Sequence, residues 1–466
     1  MTKLYAERVL LLRDGEYVFR PALIEIDGAK ITRIEDNPTS IAPETLRLDH
    51  KVIIPAFVNA HTHLPMSAFR GLASVVQQQG NVVEDVYFKI ESELTNDDIR
   101  AFTRLGALES ILQGVGFVWE HYYGETVLAE GMMDVGLEGV VAPTLQDVHG
   151  PGTAVLENQL DATERLQATR FSEHGIFAAI GPHATDSVSD NLWREIVKLA
   201  EKTKLPLHFH LAQSWEEYER NQTTHGFSTV ERLEHLGVLT TRFLGVHGLF
   251  LSNRDLQRLS PERHTLGFCP GSQVQFAFPG NFHSWEQAGL PWVVATDCGI
   301  SNDTMNVQQE LRLVAGLGSL STTWSAEHEA FRNENTLEAA QKVLSRRGAD
   351  YAKFKRYREP AMLLQKITST PGQLHPDVKV GDISVGHRAS LLALNPDHPA
   401  IWPATDPVRA LTYCDAAPAI DAMMIGGRWV TDPNENLRDA LLSNPKHQDF
   451  MREARDRRTK LFEKLT

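Results

Sequence analysis

The sequence predicts an α/β chain: a (β/α)8 TIM barrel with a small β-sandwich built from both termini. Three observations predict it. From about residue 55 to 373, apolar runs of four to seven residues alternate with helix-length amphipathic segments, the pattern of repeated βα units around a parallel sheet. Eight such runs occur, the number that closes a barrel. Short alternating strands, punctuated by Gly, Asn and Pro, crowd the two ends of the chain instead.

Taken in order, residues 8–12 and 22–28 alternate as strands around the turn Asp14-Gly15, and short strands are expected up to residue 54. The eight barrel runs are 52–58, 117–120, 139–143, 176–180, 206–210, 244–247, 265–269 and 292–296. Helices are expected over 96–112, where Ile99, Phe102, Leu105, Leu108 and Leu112 fall near helical spacing, and over 189–201. Strands return at 383–386, 390–394 and 422–430. The expected units are therefore 1–54 with 381–435 as the sandwich, 55–380 as the barrel, and 436–466 as a charged helical tail.

At 466 residues and 42% apolar, the chain can bury a large core. A net charge of −14, from 46 basic and 60 acidic residues, disfavours a nucleic-acid partner. The basic run 452–458 is interrupted by Glu453 and Asp456 and reads as a solvated helix face. Three scattered cysteines, Cys269, Cys298 and Cys414, form no CxxC pair, which points to a reducing, cytoplasmic setting, with strand-end packing expected for Cys298. Lys3, Glu7 and Arg8 break the first apolar segment and no run approaches about 20 apolar residues, so neither a signal segment nor a membrane partner is expected.

The chemistry lies in the histidines. With 19 in 466 residues, roughly one H-x-H triplet is expected by chance, so position rather than occurrence is informative. His61-Thr62-His63 follows the buried run 52–58, and alternate residues at a strand end face the same side, so both imidazoles can reach one ion. His210, His247 and Asp297 stand at the ends of later apolar runs, and in a (β/α)8 barrel those ends form the catalytic face. Three imidazoles and a carboxylate suit a borderline divalent ion such as zinc, with cobalt, manganese and iron also open. His208 faces the same side as His210 but one residue pair deeper, where it is expected to pack behind the site.

Residues 55–63 (PAFVNAHTH), 207–212 (LHFHLA), 245–248 (GVHG) and 295–297 (ATD) together resemble the amidohydrolase superfamily. Residues 68–72 (AFRGL), 181–184 (GPHA) and 269–272 (CPGS) are similar to its branch of triazine hydrolases, guanine deaminase and methylthioadenosine/adenosylhomocysteine deaminase, and 386–390 and 425–430 to its closing β-domain. The resemblance implies that His61, His63, His210 and Asp297 hold one metal ion, that His247 orients the attacking water, and that His183 contacts substrate. No lysine ends the fourth run, so a carbamylated-lysine bridge between two metals is not expected.

One departure stands out. Deaminases of the family usually carry glutamate three residues after the metal histidine, and this chain has Gln213. An amide forms hydrogen bonds but delivers no proton at neutral pH. Gln213 therefore directs the expectation toward carbamoyl-type substrates, a thiocarbamate such as molinate or a phenylurea, whose hydrolases occur in the same branch. The alternatives are an aminohydrolase or chlorohydrolase acting on a purine, pterin or s-triazine, with Glu216, Glu217 or Glu120 restoring the acid, and a non-catalytic binding homologue. Surface helical positions are expected for Glu216 and Glu217. Met66, Phe69, Trp119, Tyr122, Tyr123, Phe276 and Phe278 are expected near the mouth, with Met66, Phe69, Gln213 and His183 touching a small hydrophobic substrate. Barrels of this kind commonly form homo-oligomers, an expectation by fold analogy alone.

Overall fold

The run 52–58, expected as one strand, divides at Ala56 between two sheets. Val52–Pro55 pairs antiparallel with Leu391–Leu394 and parallel with Thr2–Arg13. The Ala56 amide then donates to Ser390, Phe57 to Gly114 and Val58 to Ile367, which carries the chain into the first barrel strand, Phe57–His63. His61 and His63 consequently lie inside that strand rather than after it. The computed structural model describes residues 1–72, 81–278, 280, 282–320 and 325–465.

The remaining barrel strands are Val115–Tyr122, Glu138–Leu145, Ile176–Ala178 continued by Gly181–Pro182, Leu207–Leu211, Phe243–His247, His264–Phe268, and Trp292–Val294 continued by Asp297–Cys298. All neighbours are parallel. Bridges at Ile180 with Leu207 and Ala184 with His210 join the fourth strand to the fifth. Pairing of Asp297 with Thr62 closes the ring on the first strand. The closure sets Asp297 beside the histidine strand, which residues 235 apart in sequence reach only through the fold.

Local chemistry sets the helix starts. Thr95 and Asp98 form a reciprocal capping box at the head of Asn96–Leu112, and the Ser189 hydroxyl accepts from the Leu192 amide to start Asp190–Thr203. The terminal helix, Pro445–Leu465, lies on Asn96–Leu112, tied by Arg457 to Asp98 at 3.2 Å and Arg104 to Glu453 at 3.0 Å.

Strands from both ends make a single mixed sheet of eight rather than two facing sheets. Its two faces serve different cores, as period-2 alternation requires. Leu10, Ile54, Leu392 and Met423 join the large core under the barrel helices, whereas Leu11, Ile53, Leu391 and Met424 face a separate apolar cluster with Ile24 and Ile383. Residues 383–386, expected as a strand, form a turn, and 422–430 fold back as the hairpin Ile420–Ile425 and Arg428–Trp429. Gly426 and Gly427 turn that hairpin with φ of +52° and +77°, which glycine adopts without a steric penalty.

Sheet and barrel are pinned by one fully buried carboxylate. Glu138, at the start of the third barrel strand, accepts from Arg388 Nε at 2.6 Å and Nη2 at 2.5 Å in a bidentate pair. A Cβ on Gly175 or Gly426 would strike this carboxylate, so both positions need glycine for space as well as for positive φ. Arg388→Leu is expected to cost about 3–5 kcal/mol by leaving Glu138 buried without its main counter-charge. Equilibrium denaturation checks this; a loss below 1 kcal/mol would show that Arg428, 3.9 Å away, suffices.

Candidate metal centre

Each imidazole is aimed by a hydrogen bond on its far nitrogen. His63 donates from Nδ1 to the His121 carbonyl, and His210 from Nδ1 to the His183 carbonyl at 2.8 Å. The proton on Nδ1 leaves the Nε2 lone pairs facing inward, 3.2 Å from each other. His61 Nδ1 lies 2.9 Å from His208 Nε2, and His61 Nε2 is buried with no hydrogen-bond partner among the described residues. Asp297 Oδ1 stands 3.5 Å from His61 Nε2 and 3.4 Å from His63 Nε2. Ser272 donates to Asp297 Oδ2 at 2.8 Å and Ser301 at 3.2 Å, which orients the carboxylate. The structure thus gathers His61, His63 and His210 as one group within ligand distance, and His61, His247 and Asp297 as another.

Protonation matches this geometry. Burial pushes His61 down to about 3 and holds His63, His210 and His247 below their ordinary value. For Asp297, burial acts to raise the pKa, while a hydrogen bond from His61 and positive charge on His247, His61 and His63 act to lower it, and the lowering prevails, leaving the group well below the usual carboxylate range. Neutral imidazoles and an ionised carboxylate are the donor set a divalent cation requires, and the orphaned His61 Nε2 supports the fit.

The strand ends are bent to present these groups. Ala212, His247 and Asp297 are non-glycine residues at φ of +47°, +81° and +64°. Such conformations cost of order ~1–3 kcal/mol each and gather at functional sites. His247 Nδ1 lies 3.4 Å from Gln273 Nε2, and its ring stacks on His210 with centroids 5.5 Å apart.

Above the cluster opens a cavity of about 580 Å³. Met66, Tyr122, Tyr123, Phe276, Phe278 and Cys298 lie in its wall, together with His183 and Gln213. Two expected mouth residues do not. Phe69 sits in the turn Leu64–Phe69, buried against Phe102 and Phe462, because the terminal helix covers it. Trp119 lies one residue pair deeper than His121 on the second strand and packs edge-on to His208 beneath the site.

The acid candidates also separate. Glu120 accepts from Thr62 and the Leu64 amide, so it caps the turn after the first strand and stays out of the cavity. Glu217 is buried rather than on the surface, its oxygens accepting from the Ala212 amide at 3.0 Å, the Gln213 amide at 2.7 Å and the Thr185 hydroxyl. That grip fixes the backbone from which Gln213 enters the cavity. Glu216 is exposed on the first turn of the helix Trp215–His225, the surface helical position expected for it, and reaches the cavity only at its rim.

His121, Tyr87 and Glu91 also line the cavity and were missed in the sequence. Burial pushes Glu91 up to about 8, partly offset by the nearby Tyr122 hydroxyl, so the carboxyl is mostly neutral at pH 7. Glu91 sits in the short helix Phe88–Glu91, where no periodicity marked it. His121 sits at the end of a strand run and could have been found by the rule that singled out His210.

Imidazoles and a carboxylate gathered at the C-terminal mouth of a parallel barrel are the arrangement of a metal-dependent hydrolase. The chain belongs to the amidohydrolase family, whose model matches residues 52–430. It is 26% identical over 437 residues to the 5-methylthioadenosine/S-adenosylhomocysteine deaminase of Pyrococcus horikoshii, covering 92% of this chain and 94% of the relative. In fold it is similar to a zinc-bound adenosine deaminase from Xanthomonas campestris, with TM-score 0.79, 19% identity, and 99% and 98% of the two chains covered. A triazine hydrolase from Arthrobacter aurescens aligns equally well, with TM-score 0.79, 17% identity and 99% of both chains covered. All three cysteines are free, and among the described residues no helix is long and apolar enough to cross a membrane.

Two outcomes are expected. Chelator-stripped protein should rebind about one zinc per chain, and His63→Ala should bind none tightly, as read by metal analysis after gel filtration. The metal-free protein should be acid-sensitive. Burial, aided by the charges of His63 and His149, lowers His183 from 6.5 to about 3. Below pH 6.5 the unfolded chain takes up a proton that the folded chain refuses, so stability is full above 6.5 and falls toward about 3. At pH 5 this amounts to about 2 kcal/mol from His183 alone. Urea melts at pH 7 and 5 should show His183→Gln losing less than the parent.

Proposed function

We propose that the chain is a metal-dependent aminohydrolase that removes an exocyclic amino group from a planar nitrogen heterocycle of purine type. The observation that carries this reading is the near full-length similarity to a protein named as a nucleoside deaminase, combined with the His61, His63, His210 and Asp297 geometry. It displaces carbamoyl cleavage, the expectation from Gln213, as the leading reading. The roughly 580 Å³ cavity fits one small organic molecule, with aromatic walls to stack a ring and polar groups such as Glu91 to bind its substituents.

His61, His63, His210 and Asp297 would hold one ion, zinc by analogy with the zinc-bound neighbour. When bound, it would supply Lewis-acid polarisation and lower the pKa of a water toward about 7. Asp297, ionised and steadied by Ser272 and Ser301, takes the proton from the attacking water and returns it to the departing amine, so that ammonia leaves. His247, neutral and next to Asp297, orients the water by hydrogen bonding. His183 is held at Nδ1 by Ser187 at 2.8 Å, so its Nε2 is the nitrogen available to substrate. Gln213 can hydrogen-bond a ring nitrogen without protonating it.

Gln213 also favours a second reading: cleavage of a thiocarbamate or phenylurea, whose leaving group needs less protonation. A panel of aminopurine nucleosides, aminotriazines, thiocarbamates and phenylureas, read for ammonia, thiol and aniline, separates the two. Ammonia release is expected, and Gln213→Glu should raise it by about 10²-fold. Thiol or aniline release without ammonia would replace the deaminase reading with the second. Asp297→Ala should abolish turnover even with metal restored.

A further inference from the structure

The three candidate imidazole ligands are not supported alike. His63 and His210 each donate Nδ1–H to a main-chain carbonyl, an acceptor that mutation leaves in place. His61 alone relies on a side chain, His208. For the His61 Nε2 lone pair to meet a cation, its proton must sit on Nδ1, 2.9 Å from His208 Nε2, which then accepts. In the opposite tautomer His61 Nε2 carries the proton, faces Asp297 Oδ1 at 3.5 Å and has nothing to offer a metal.

His208 is completely buried, and its own Nδ1 has no hydrogen-bond partner among the described residues. A buried nitrogen without a partner is destabilising, so packing alone would favour an apolar side chain here. The ring is instead wedged edge-on between Trp119 and His121, each with its centroid 5.6 Å away, so its Nε2 stays aimed at His61. We propose that His208 is a positioning residue for the metal centre: it supplies the acceptor that holds His61 in its ligating tautomer and orientation. The proposal rests on His61 being a ligand.

The test measures zinc and cobalt(II) dissociation constants by chelator competition, with the melting temperature of the metal-free protein as the control for folding. His208→Phe, which fills the space without an acceptor, should weaken both ions 10–100-fold with a metal-free melting temperature at or above that of the parent. His208→Gln, whose Oε1 can take the place of Nε2, should bind both ions within about threefold of the parent. Parent-like affinity in folded His208→Phe overturns the proposal. So does a loss of tenfold or more in folded His208→Gln, and if His208→Phe does not fold, the smaller acceptor-free His208→Leu is measured in its place against the same expectation. Should the parent bind no metal, the metal-site reading falls first; parent binding with an indifferent His208 sinks only this inference.

Discussion

A buried carboxylate set among inward-facing imidazole nitrogens is the interaction on which the site depends. Asp297 reaches those nitrogens because the eighth strand closes onto the first, and two serine hydroxyls turn its second oxygen away from the histidines. Burial by itself would protonate the carboxyl, and it also keeps the imidazoles neutral. The result is a compact set of lone pairs with one negative charge, which a divalent cation complements and which apolar packing would not.

The rest of the fold serves that arrangement at some conformational cost. Ala212, His247 and Asp297 adopt left-handed backbone conformations at the ends of their strands, so the surrounding structure must hold them there. Glu217 does this for the fifth strand through the Ala212 and Gln213 amides, and the stacked rings of His210 and His247 couple the fifth strand to the sixth. Farther away, the Glu138–Arg388 pair locks the terminal sheet to the barrel, so that the faces of Val52–Pro55 belong to two cores at once.

Gln213 shows where chemistry and ancestry pull apart. Its amide is the poorest group in the site for moving a proton, yet the chain as a whole is similar to proteins named as deaminases. The structure leaves Glu216 at the cavity rim and the mostly neutral Glu91 in its wall, while Glu120 and Glu217 are engaged with main-chain amides.

The barrel, the terminal strands and the group His61, His63, His210, His247 and Asp297 were legible in the sequence because apolar periodicity and strand-end position are local signals. So was the helix Asn96–Leu112, whose ends are written in its cap and spacing. What stayed hidden depended on contacts between distant residues. The break at Ala56 is set by hydrogen bonds to Ser390 and Ile367, the removal of Phe69 by the terminal helix, and the place of Glu91 by a short helix without periodicity. By itself the sequence determined which residue types stand at each strand end. Only the tertiary structure decided which share the cavity, which pack beneath it, and which nitrogen of each imidazole faces inward, because those outcomes follow from barrel closure and from hydrogen-bond partners far away in the chain.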